Sequence, residues 1–230
     1  NNRIEEIRKL FKKDENFQKT LTQIADDPRV ESAYPFLSRT LRQVATPIIQ
    51  NMGTIGGNLC TAAACGDLTP LLLALEAVAV VTSTKGRREI PMDGFFRTVR
   101  STNMLPGEIL VEILVPARRP GEGARYEAFG MRAAAFITVA GVAAAVKLEG
   151  EVCRNARVVL SAVAPTPLLV PAAAERLAGR KLDEAAMAEA AGLARAAALP
   201  ISDIRGSAQH RRDLVETLTV RALRAARERA

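Results

Sequence analysis

Tryptophan is absent from this 230-residue chain, and aromatic residues make up only 4% of it. A core built on large rings, as in an aromatic-rich β-sandwich, is therefore not expected. Alanine, valine and leucine must do the packing, which favours layered α/β or α+β structure with close helix contacts. Histidine occurs once, as His210. A Ser-His-Asp or Cys-His hydrolase would have to use it, and no nucleophile elbow accompanies it. It falls in the first turn of the last expected helix, among basic residues, and reads as a surface or packing residue. Cysteine occurs three times, at Cys60, Cys65 and Cys153. An odd count with irregular spacing makes no disulfide framework, and C-x4-C alone is not a metal signature. Each is expected to be a small buried hydrophobe, in a reducing, cytoplasmic setting. No apolar run approaches the roughly 18 residues a spanning helix needs; "PLLLALEAVAVV", residues 70–81, is short and carries Glu76. "NNRIEEIRKLFKKDENF" at the start has no apolar core, so no secretory leader is expected.

Hydrophobic residues form 48% of the sequence, enough for a sizeable core, and the formal charge is +7. The basic residues are dispersed among acids and lack interleaved aromatics, which argues against nucleic acid. An anionic cofactor or partner subunits fit this charge better. Asp26, Asp27 and Glu31 lie too close to the break at Pro28 to form a metal cage. With no H-x-x-x-H, D-x-D-G or C-x-x-C pattern, no protein-bound metal is expected. Asp203 with Arg205, Arg211 and Arg212 forms a charge cluster at a helix start, where arginines oppose the helix dipole and call for acidic partners.

Periodicity divides the chain. Ile4, Ile7, Leu10 and Phe11 follow helical spacing, and "DENFQKTLTQIADDP" predicts a second helix ending before Pro28. A third is expected over Tyr34–Val44, and a fourth over 67–77, "DLTPLLLALEA", whose first turn tolerates Pro70. "VAVVTSTKGRREIP" reads as strand, turn and strand with Gly86 in the turn. "EILVEILVP", 108–116, reads as a strand apolar enough to be largely buried. "ARRPGEGA", 117–124, is the clearest linker. Beyond it, "RYEAFGMR" and "FITVAGVAAAVKLEG" read as strands, and "EVCRNARVVLSAVAP" pairs back across a Glu-Gly turn. Helices are expected around Pro171–Gly179, over Asp183–Ala198, and from a capping Ser207 to about Arg229. The fold class is thus α+β, split into residues 1–118 and 124–230.

"QNMGTIGGNLC", residues 50–60, carries the strongest hint of chemistry. Glycines let backbone amides approach an anion and tolerate positive φ. Successive amides in such a turn make a nest for phosphate, and hydrogen bonds to charged groups are worth roughly 1.5–3 kcal/mol each. Three could hold a diphosphate without a lysine. Thr54, Asn58 and Thr61 could assist, and Asp67, opening the next helix, could accept from a ribose or ribityl hydroxyl. The pattern is neither G-x-G-x-x-G nor G-x-x-x-x-G-K-[ST], which disfavours Rossmann and triphosphatase sites. A tight turn in which Gly-Gly only relieves strain is the competing interpretation.

Several motifs in order carry a family resemblance from about residue 20 onward. "IIQNMGTIGGN", the aspartate Asp67 before a proline-containing helix, "GEILVEILVP", "RYEAFGMR" and "SDIRGSAQHRRDLVETLTVRAL" resemble the FAD-binding subunits of the molybdenum hydroxylases. In "RYEAFGMR" the family's usual lysine is replaced by Ala128. The resemblance implies an FAD-binding lobe over 1–118 and a C-terminal domain of a small antiparallel sheet packed on helices over 124–230. It implies an FAD whose diphosphate rests on the backbone of Thr54, Ile55, Gly56, Gly57 and Asn58. Val44 and Leu110 would touch the flavin or adenine, and Asp67 would bind a cofactor hydroxyl. It further implies an oxidoreductase subunit that does no substrate chemistry itself. Electrons would come from a molybdopterin centre in a large subunit and iron–sulfur clusters in a small one, in a dimer of heterotrimers. They would leave the flavin for NAD, a quinone or oxygen.

The family's opening lobe carries a second glycine motif, A-G-G-T/H-x-L, for the other side of the dinucleotide. The first seventeen residues contain no glycine. The second half of the cradle is therefore expected in a longer version of the chain, in another chain, or to be lost. If lost, the chain would be a non-catalytic structural subunit.

Overall fold

The computed structural model describes residues 19–132 and 135–230. The helix expected from Ile4 to Phe11 lies outside the described residues. The chain has two regions. Among the described residues, the first, up to the linker, has six short helices before its strands: α1 (Leu21–Ala25), α2 (Pro28–Ala33), α3 (Pro35–Gln43), α4 (Pro47–Gln50), α5 (Ile55–Thr61) and α6 (Leu68–Ala74). Three strands follow in antiparallel order β2-β1-β5: β1 (Val78–Ser83), β2 (Gly86–Pro91) and β5 (Ile109–Leu114). A small hairpin of β3 (Phe96–Thr98) and β4 (Ser101–Thr102) lies between β2 and β5 in sequence.

Short helices nucleate poorly, because the first turn fixes several residues for one hydrogen bond. Here side-chain caps and prolines at the first turn assist them. Thr20 and Gln23 form a reciprocal capping box on α1. Asp27 caps α2 by accepting from the Arg29 amide at 3.0 Å. Pro28, Pro35 and Pro47 each occupy a first turn. The β1–β2 turn forms as the sequence predicts, with Gly86 at φ +119°. The strand expected to be largely buried, β5, is instead an edge strand. Only Leu114 of it is buried, and Ile109 is 64% exposed. Its apolar run reflects a partly covered edge, not a central position.

The second region is a four-stranded antiparallel sheet, β6 (Glu122–Phe129), β7 (Ala140–Glu149), β8 (Val152–Ser161) and β9 (Leu168–Leu169) in sequence order. Strand β6 starts inside the stretch read as linker. Helices α7 (Pro171–Leu177), α8 (Glu184–Ala197) and α9 (Ala208–Arg227) cover one face. Asp183 and Ser207 cap the last two. Alternation along β7 divides the core. Val142, Ala144 and Val146 face the helices with Val158 and Leu160. Ala143, with Val159 on β8, faces the first region and joins its core, which also takes in Ala124 and Tyr126. Small side chains let these layers close without aromatic bulk. Ala186, Ala190 and Ala194 of α8 and Ala222 and Ala226 of α9 are essentially fully buried.

The charge cluster at the start of α9 resolves into structure. Arg211 is buried, donates to the carbonyls of Val139 and Ala162, and pairs with Asp203 at 2.7 Å. Arg205 reaches the same carboxylate at 3.5 Å, while Arg212 donates to the Ala198 carbonyl. The acidic partner expected is Asp203, and backbone carbonyls supply the rest. His210 is exposed, with its ring edge-on to Phe129 at 6.0 Å. Of the cysteines only Cys153 is buried; burial pushes its thiol up to about 11. Cys60 is exposed, because α5 turns Leu59 inward and leaves Cys60 outward, and Cys65 is half-buried. Among the described residues no helix is long and apolar enough to cross a membrane.

Candidate functional site

The glycine stretch is the first turn of a helix. Thr54 is the N-cap of α5; its Oγ1 accepts from the Gly57 amide at 3.0 Å, and its carbonyl accepts from Asn58. Gly56 and Gly57 have no positive φ. The expected nest of successive amides in a bend is thereby corrected. Gly57 and Asn58 amides are used within the turn, and helix geometry leaves Ile55 and Gly56 without an intrahelical acceptor. The glycines matter for approach instead. A Cβ at Gly57 would lie 3.1 Å from Thr54 Oγ1, and one at Gly56 would lie 3.7 Å from Leu110 Cδ2. Gly53 is more constrained, since a Cβ there would meet the Ile49 carbonyl at 2.9 Å.

The turn is held from several sides. The Leu21 amide donates to the Gly53 carbonyl, and Thr20 bridges Thr54. Gln50 donates to the carbonyls of Arg42 and Val44. At the far end the Ala62 carbonyl accepts from Arg100. Leu59, fully buried, anchors the inner face of α5. Thr61 spends its hydroxyl on the Gly57 carbonyl at 2.7 Å. Asn58 Oδ1 is buried and has no hydrogen-bond partner. A buried polar atom without a partner costs about 1–3 kcal/mol, so it marks a position suited to a donor from outside the chain.

Asp67 precedes α6 and is only partly exposed. Its Oδ1 accepts from Thr138 at 2.6 Å and from Tyr126 at 3.0 Å. Burial raises its carboxyl above the ordinary range, and these two hydrogen bonds act in the opposite sense. Tyr126 is pushed well above the usual phenol range, first by its own burial and then by the Asp67 charge. Sequence reasoning missed Tyr126 and Thr138. The available signal was the tyrosine inside "RYEAFGMR", one of only two in the chain. Gly141, across from Ala128 on β7, makes room for it, because a Cβ at 141 would lie 2.5 Å from the Tyr126 hydroxyl.

The structure thus brings Thr54, Ile55, Gly56, Gly57, Asn58 and Leu110 together, with Asp67 at the start of the helix that packs beside them. Val44 is different: it is buried in the core of the first region and presents little surface.

Residues 2–118 match the family described as the FAD binding domain in molybdopterin dehydrogenase. Residues 124–226 match the CO dehydrogenase flavoprotein C-terminal domain. The carbon monoxide dehydrogenase medium chain of Hydrogenophaga pseudoflava is 34% identical over 203 residues, covering 88% of this chain and 70% of that one. The xanthine dehydrogenase FAD-binding subunit of Escherichia coli O157:H7 is 27% identical over 206 residues, covering 89% and 70%. A solved structure of the H. pseudoflava carbon monoxide dehydrogenase lacking the Mo-pyranopterin moiety superposes with a TM-score of 0.88 at 33% identity, over 90% of this chain and 72% of that one. Fold, motifs and these likenesses agree that the chain belongs to the FAD-binding subunits of the molybdenum hydroxylase family.

Proposed function

We propose that the chain binds FAD through the first turn of α5 and serves as the electron-transferring flavin subunit of a molybdenum hydroxylase complex. The observation that carries this reading is the first turn of α5, whose Ile55 and Gly56 amides have no intrahelical acceptor, in a helix that also holds the unpartnered, buried Asn58 Oδ1. The two amides supply donors at a helix start, where negative charge is favoured. An Asn amide rotated end for end would turn a donor toward a phosphate oxygen. Gly56 and Gly57 keep side chains away from that approach. Asp67 keeps its Oδ2 for a ribose or ribityl hydroxyl while Tyr126 and Thr138 hold its other oxygen. Leu110 contributes an apolar contact next to Gly56, and Val44 supports the turn from beneath.

When bound, the isoalloxazine supplies the redox chemistry, and the protein binds, orients and tunes it. In this reading residues 1–118 form the flavin lobe and 124–230 the C-terminal domain. Partners are a molybdopterin-binding large subunit and an iron–sulfur small subunit, assembled in the cytoplasm as a dimer of heterotrimers.

A second reading, a structural subunit that no longer holds flavin, is favoured by one observation. The Gly57 and Asn58 amides and Asp67 Oδ1 are already satisfied within the chain. Equilibrium titration of the purified chain with FAD, read by quenching of flavin fluorescence, separates the two. Saturable binding that weakens in Asn58→Ala supports the flavin subunit. A chain that stays colourless in excess FAD, even with a lobe bearing the second glycine motif supplied, favours the structural one.

A further inference from the structure

A concave site lies at the other end of α6. That helix starts at Asp67 beside the glycine turn and ends seven residues later, about 10 Å away at 1.5 Å per residue. There, Leu75 and Glu76 wall a cleft of about 360 Å³ between the two regions. This lies within the range of about 300–1,000 Å³ typical of small-molecule sites. Its floor is the sheet face of β6, β7 and β8. Ala124, Ala145 and Arg157 stand opposite one another across the three strands, as do Glu122, Lys147 and Asn155 in the next row. The two alanines create the depression, with Phe36 and Pro116 closing it.

The lining is strongly cationic: five basic side chains against two acidic ones. Three of the cations retain unused donors. Arg157 Nε is buried without a partner, although the same guanidinium reaches the Leu73 carbonyl and Glu76. Among the described residues neither Lys147 Nζ nor the Arg119 guanidinium has a hydrogen bond or ion pair. Lys147 and Arg157 are diagonal neighbours on adjacent strands, about 7–8 Å apart at that register and within reach of long side chains. Lys147 is also half-buried, so its charge sits where an anion would be weakly screened.

We propose that this cleft binds a small phosphate-bearing anion, with Lys147 and Arg157 as its principal ligands and Arg119 closing from the linker. It is a site separate from the glycine turn. The apolar floor takes the ligand's organic part, and the two strand cations take its phosphate.

Inorganic phosphate and phenyl phosphate are the probes, titrated calorimetrically into the full chain at constant ionic strength. Saturable binding is expected, with phenyl phosphate the tighter of the two. Lys147→Met should weaken it about tenfold, the effect of one charge-assisted hydrogen bond. Arg157→Lys should weaken it less, and Arg205→Met, outside the cleft, should leave it unchanged. Circular dichroism verifies that each variant is folded; should Lys147→Met unfold the sheet, Arg119→Met on the exposed linker takes its place. FAD should not compete. Wild-type isotherms that sodium chloride reproduces, equal affinity in the cleft variants, or displacement by FAD would each overturn the proposal.

Discussion

The two regions solve the problem of ordering a chain differently. The first uses helices of four to nine residues, each resting on a cap, a proline or a neighbour. The second uses ten-residue strands and helices of fourteen and twenty residues around an alanine-rich core. Short helices leave a larger share of their backbone groups unpaired at the ends. The first region therefore carries many helix ends, among them the Ile55 and Gly56 amides that open α5. Asp67 with Tyr126 and Thr138 is where the two regions meet.

The contrast can be broken most severely from the second region. Gly123 of β6 would place a Cβ 2.1 Å from the Ala226 carbonyl of α9. Both groups are backbone, so Gly123→Ala is expected to prise helix from sheet and prevent recovery of folded protein, read as loss of a cooperative thermal transition. Leu160→Ala, at a fully buried position, should cost about 2–5 kcal/mol, measured by urea unfolding.

At the seam the effects are smaller. Tyr126→Phe removes one of two donors to Asp67 and should cost about 1–3 kcal/mol. Because burial holds the Asp67 carboxyl above its unfolded value, the folded state retains the proton longer. Its contribution is full below the unfolded value and is lost as pH rises through the folded one. Asp67→Asn should abolish that part of the pH dependence; an unchanged slope in denaturation midpoints between acid and neutral pH would refute it.

Within the first region, Thr54→Ala should lose the α5 cap, about 1 kcal/mol. Gly57→Ala should change stability least, since the gain of a helix former, about 1 kcal/mol at most, opposes the 3.1 Å contact with Thr54 Oγ1. FAD affinity should nevertheless fall. A variant that binds as tightly as wild type would mean that nothing approaches this backbone closely.

The same division governs what could be read from sequence. Long periodic segments such as those of α8, α9, β7 and β8 were legible because their patterns repeat many times. The glycine stretch suggested a bend, whereas Thr54 caps it into a helix; the decisive hydrogen bond involves one side chain and leaves no periodic trace. The apolar run of β5 suggested a largely buried strand, because which strands flank it depends on distant sequence. Asp67 was legible as a polar residue at a helix start. Its partners were not, since Thr138 lies 71 positions away and reaches it only through the fold.

The junction near residue 120 has a consequence for how the molecule could be divided. The chain crosses it once, but the regions also hold each other through Asp67, through the Ala162 amide on the Ala64 carbonyl, and through Arg157 on Leu73. Their apolar interiors merge at Ala143 and Val159. Two polypeptides cut within the linker and co-expressed should therefore reassemble by complementation, the covalent tie being the most dispensable of the bonds between them.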